Sequence, residues 1–158
     1  MTGAAIRHDG GAAAAGGVDE FRGAFDAAHL VQQARHFYPD EAITLGSATI
    51  LYRQRAVLRR LSPNPLLDEM WYRDSNADVR AAIAAGRVWS GFHHFVGWGW
   101  REGRMPNPAM RARMRDAPLP DVPRDGFDAA GYLAADGDAR SFLAAFPFIG
   151  TWEYFHHF

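Results

Sequence analysis

At 158 residues, 48% apolar and 13% aromatic, the chain has ample material for one packed domain or two small units, which excludes a fully disordered protein. A net charge of −1 gives no global attraction to nucleic acid, and the absence of cysteine excludes disulfides and thiolate metal sites. No apolar run reaches the roughly 18 residues of a membrane span, and the N-terminus lacks the charged start, apolar stretch and cleavage pattern of a secretory signal. The expectation is synthesis in the cytoplasm without a signal peptide, with release, if any, by cell lysis, by a dedicated secretion system or as part of a larger particle.

Residues 1–20 form a Gly/Ala-rich tail that buries little alone and is expected to be flexible unless a neighbouring subunit holds it. Residues 21–65 read as an N-terminal helical segment. Phe25, His29, Gln32 and His36 share one stripe, and Leu30, Ala34, Phe37 and Tyr38 an adjacent one, with Pro39 interrupting. A second helix is expected from about Ser47 to Leu61, with Ile50, Leu51, Val57, Leu58 and Leu61 as its apolar face. Arg53, Arg55, Arg59 and Arg60 lie on its far side, where they complement the helix dipole or form an anion-binding patch. All 17 basic residues are arginine, which GC-rich codon usage accounts for; guanidinium groups also suit two-point contacts with carboxylates, phosphates and sugar acids.

The string Phe-His-His-Phe occurs at 92–95 and again at 155–158, which points to an internal duplication. Leu67-Asp68, Tyr72, Asp78, Arg80, Ile83 and Ala84-Ala85 recur 60 positions on as Phe127-Asp128, Tyr132, Asp138, Arg140, Leu143 and Ala144-Ala145. The offset becomes 63 at the His pair, so copy two carries a three-residue insertion, expected in the loop around Phe146-Pro147-Phe148. Repeat one spans 66–104 as three short helices. Asp68 caps the first, Asn76 or Asp78 the second and Ser90 the third, while Gly86 supplies a left-handed C-cap. Residues 105–125 are a Pro/Arg-rich connector with one helical turn around Ala109–Arg115, and repeat two occupies 126–158. Strand signals are weak throughout, so the fold class is all-α.

Repeat one reads Leu67-Asp68-x-x-Trp71-Tyr72-x-x-x-Asn76-x-Asp78-Val79, then His94-Phe95, then Gly99-x-x-Glu102-Gly103-Arg104. This resembles a short helical repeat of the pattern FDxxYYLxxNPDV, HY, GxxEGR. That repeat accompanies bacterial polysaccharide-related glycosyltransferases, sulfotransferases and surface or secreted adhesive proteins. Ala77 and Gly137 stand where the pattern has Pro, Asp136 stands for Asn, and copy two runs to Phe158 without the GxxEGR segment. In general character the chain is also similar to head-spike proteins of gene transfer agents, phage-like particles that attach to capsular polysaccharide. The resemblance implies a repeat that is not a catalytic unit.

Trp98, Trp100, Arg101 and Arg104 are the candidate carbohydrate-binding residues: flat rings stack on sugar faces and guanidinium groups grip acidic sugars. The alternative is that both Trp rings close the core. Adjacent histidines diverge by about 100° on a helix, so no metal site is expected at either His pair; His94 and His157 should instead satisfy backbone groups at helix junctions. Trp152, Tyr154, Phe155 and Phe158 make the end of the chain unusually aromatic, docked on its own core or on a partner subunit. No phosphate loop, nucleophile elbow or zinc-protease helix is present. The expected protein is a non-enzymatic structural or adhesive subunit without cofactors. Its partners would be other subunits, through the tail and the aromatic end, and an acidic surface polysaccharide. Alternatives are an accessory module positioning a polysaccharide-modifying enzyme and arginine-mediated nucleic-acid binding through Arg53–Arg60 and Arg111-x-Arg113-x-Arg115.

Overall fold

Asp26 adopts an extended backbone and its carboxylate accepts the His29 amide at 2.9 Å, which starts helix α1, Ala27–Phe37. The computed structural model of the chain describes residues 21–113 and 121–158. The tail and its expected subunit contacts therefore lie outside the described residues, as does Arg115. Helix α1 turns Leu30, Val31 and Ala34 inward, while Phe37 remains 61% exposed, so the second predicted stripe is only half core.

The second helix, α2, covers only Ala48–Gln54 and does not run to Leu61. Arg55 turns extended, and a 3-10 turn at Leu58–Arg60 follows. The break restarts the register, so Leu58 and Leu61 can be buried although Ile50 points outward at 57% exposure. The missing core member is Tyr52, fully buried four residues after Ala48, with its hydroxyl donating to Ser90 at 2.6 Å.

Repeat one comprises α3 (Glu69–Ser75), α4 (Ala77–Ala84) and α5 (Gly91–His94), the last continuing into a π-helical turn at Phe95–Gly99. Asp68 accepts the Trp71 amide and Ser90 the His93 amide, each at 3.0 Å, and Gly86 has φ +69°. Asn76 stands at the cap of α4 without capping it through its side chain. Its amide donates to the Tyr72 carbonyl, and its oxygen accepts from Arg104. The connector includes α6, Pro108–Arg113.

Repeat two repeats the order: α7 (Ala129–Ala135), α8 (Gly137–Ala145) and α9 (Thr151–His157). Asp128 accepts the Gly131 amide at 2.9 Å, as Asp68 does in copy one. The loop before α9, residues 146–150, is no longer than its counterpart 85–90, so the insertion does not enlarge the loop. The extra residues instead form an additional first turn of α9, Thr151–Glu153, ahead of the position equivalent to Gly91.

The two repeats pack on one another. Phe95 meets Phe146 at 5.0 Å between ring centroids, Trp100 meets Phe148 at 5.7 Å, and Phe158 reaches both Phe142 (4.9 Å) and Phe95 (6.5 Å). Asn64 ties the segments together. Its side-chain amide donates to the Ala24 carbonyl (3.0 Å) and the Ala145 carbonyl (2.9 Å), and its oxygen accepts the Leu66 amide (2.9 Å).

Gly99 lies against the fully buried Tyr72: a Cβ there would stand 2.2 Å from the phenolic oxygen. The ring has no room to retreat, so Gly99→Ala should cost about 2 kcal/mol by overpacking. Urea unfolding checks this, and Tyr72→Phe in the same chain should recover part of the loss by removing the clashing hydroxyl.

Candidate functional site

The π-helical turn decides how the Trp98-Gly99-Trp100 element is displayed. Residues two apart on a helical path point to nearly opposite sides. Trp98 is accordingly 39% exposed, whereas Trp100 is buried against Phe148, its indole nitrogen without an acceptor among the described residues. The four candidate sugar-binding residues thus split into two faces. Trp98 and Arg101 are the two exposed members. Arg101 also closes over Trp100, its guanidinium carbon 4.6 Å from the ring centroid, and donates to the Gly97 carbonyl at 3.3 Å.

Arg104 has a different role. It donates to Asp78 through both terminal nitrogens (2.9 and 2.6 Å), to Glu102 through Nε (2.5 Å) and to Asn76 (2.8 Å). The hydrogen bonds from Arg104 hold the Asp78 carboxyl down at about 2. Arg104 therefore pins the closing turn of repeat one to the start of α4. In copy two Asp138, the counterpart of Asp78, is met by Arg113 from α6. The connector thus supplies a guanidinium at the place where copy one uses its own closing turn.

His94 Nδ1 faces the Tyr72 hydroxyl at 3.0 Å. Copy two does not repeat the pair, since Tyr132 donates to Asp136 at 3.2 Å. Burial pushes the Tyr72 hydroxyl far above its ordinary value, which keeps it a neutral donor.

His93, not singled out from the sequence, links the outer face inward. It stacks on Trp89 (4.7 Å, 19° between planes) and meets the Trp98 edge at 5.8 Å. Its Nδ1 accepts the Trp89 amide at 3.2 Å, which fixes the neutral ring with the proton on Nε2. Burial, with His94 and Arg53 adding repulsion, holds it down at about 4. A histidine lowered from its unfolded value of about 6.5 supplies stability above that pH and loses it as pH falls toward 4. The loss is on the order of 3 kcal/mol. Thermal denaturation of His93→Gln beside the parent should show a smaller drop between pH 7 and 4 in the variant.

Behind this surface Glu69 is buried at 3% exposure. Its carboxylate accepts the Gly91 and Phe92 amides (2.7 and 2.8 Å) and Arg73 Nε (2.5 Å), and Arg73 in turn donates to the Arg59 carbonyl. Burial pushes the Glu69 carboxyl up, while Arg73 and the two amides pull it back. In the sequence Glu69 looks like an ordinary acid in a first helical turn; only the arrival of α5 above it reveals its use.

The aromatic end packs on the chain itself, with Tyr154 buried and Trp152, Phe155 and Phe158 half-buried. Tyr154 is buried against Phe142 at 4.9 Å, Phe155 lies on Phe127 and Tyr132 at 5.1 and 5.5 Å, and Phe158 reaches Phe142 and Phe95. Trp152 donates its indole N–H to the Val122 carbonyl at 3.4 Å. Of the two alternatives read from the sequence, docking on the chain's own core is therefore present, while Trp152, Phe155 and Phe158 each keep part of their surface exposed. Among the described residues no group of three His, Asp or Glu side chains is placed to hold a metal, and no helix is long and apolar enough to cross a membrane.

Comparison with protein-family models, with curated proteins and with solved structures finds no match to this chain.

Proposed function

We propose that the protein is a non-enzymatic structural and adhesive subunit of a bacterial phage-like particle or surface assembly, and that it holds an acidic surface polysaccharide through the outer face of repeat one. The observation that supports this reading is the exposed Trp98, backed by the His93–Trp89 stack, with exposed Arg101 three residues on. An indole on a rigid support offers an apolar face to sugar C–H groups, and the adjacent guanidinium offers a two-point partner to a sugar carboxylate. Arg104 of the sugar-binding candidates and Arg113 of the nucleic-acid alternative are engaged with Asp78 and Asp138, so neither contributes a free guanidinium to its reading.

Immobilised acidic capsular-type polysaccharides test the reading. Retention is expected on at least one, weakened about tenfold by Trp98→Ala and by raised salt. Failure of the unmodified protein to bind any acidic glycan would remove the adhesive part. A monomer at all concentrations in sedimentation would remove the assembly part.

A further inference from the structure

A cleft of about 370 Å3 opens between the 3-10 turn at Leu58–Arg60 and the end of α4 with the residues that follow it to Trp89. Arg59, Arg60 and Arg73 line it together with Ile83, Val88 and Trp89, and no acidic side chain does. Arg73 is committed to Glu69 and to the Arg59 carbonyl. Arg59 and Arg60 have no carboxylate within ion-pair distance among the described residues, and Arg59 Nε is shielded from water without any acceptor. Two guanidinium charges without a carboxylate beside them, in a cleft lined by no acidic side chain, suit an anionic occupant.

We propose that this cleft seats the carboxylate of a small organic acid with a ring or short apolar face, the class to which a single sugar-acid residue belongs. A carboxylate entering the cleft pairs with the terminal nitrogens of the Arg59 guanidinium, and Arg60, exposed and also lining the cleft, supplies the second positive charge. Ile83, Val88 and the Trp89 edge form the apolar wall for the remainder of the ligand. Phosphate fits less well. Its additional oxygens require further donors, and the lining contains no Ser, Thr, Asn or Gln side chain. The cleft does not include Trp98 or Arg101, so it is tested separately from polysaccharide adhesion.

The test is titration of the full chain at low salt with monomeric glucuronate, glucose and inorganic phosphate, followed by amide NMR. Glucuronate should shift the signals of Arg60, Val88 and Trp89, and glucose should not. Arg59→Gln and Arg60→Gln should each weaken glucuronate about tenfold or more, as loss of a charge-assisted contact does. Arg60 is exposed, so its variant serves even if Arg59→Gln fails to fold. The proposal is overturned by absence of shifts with glucuronate, by equal binding of glucose or phosphate, or by a folded Arg60→Gln that binds as the parent does. Binding of glucuronate without retention on any polysaccharide would sink the adhesive function and leave this seat standing.

Discussion

Asn64→Ala is expected to lower the unfolding free energy by about 4 kcal/mol, a large share of what a domain of this size possesses. Asn64 is 1% exposed and bonds three separate stretches: Ala24 before α1, Leu66 at the start of repeat one and Ala145 at the end of α8. Alanine leaves two carbonyls and one amide without partners in a place water does not reach, and each orphan costs about 1–3 kcal/mol. Asn64→Asp keeps the acceptor for Leu66 but sets oxygen against both carbonyls, so it should be at least as damaging at neutral pH. Chemical denaturation measures both. A loss below about 1 kcal/mol in the alanine variant would show that the three segments are held by apolar packing alone.

Glu69→Ala should be comparably severe, at about 3–5 kcal/mol, because it removes one partner from a buried ion pair and strands the rest. Gly91 and Phe92 lose the acceptor for the first amides of α5, and Arg73 keeps a charge with no carboxylate beside it. Glu69→Gln retains the shape and one acceptor oxygen, so its cost should be smaller. Hydrogen exchange adds a local readout: protection should fall first in α5 and the π-helical turn, which carry Trp98. If exchange rises evenly over all helices instead, Glu69 is not the local anchor of α5.

The caps were legible because they are local. Asp68, Asp128 and Ser90 each bond an amide three residues on, and Gly86 takes the left-handed conformation that other residues resist. The end of α2 was not legible. No proline or glycine marks Arg55, and the apolar spacing from Ile50 to Leu61 suits a longer helix than the one that forms. The fate of Trp98 and Trp100 was equally hidden, since glycines beside them suggest a loop whereas the chain continues helically and separates the two rings.

Composition, the duplicated Phe-His-His-Phe strings and the capping residues determine an all-helical chain whose three-helix order recurs, because propensity and capping act within a few residues. Which aromatics face water and which arginines retain a free charge is decided only by tertiary structure. Trp100 is buried because Phe148 arrives beside it, Arg113 is paired because α6 passes Asp138, and Asn64 is satisfied by a carbonyl 81 residues away. Burial and pairing depend on neighbours brought together by packing, and no short-range pattern along the chain encodes them.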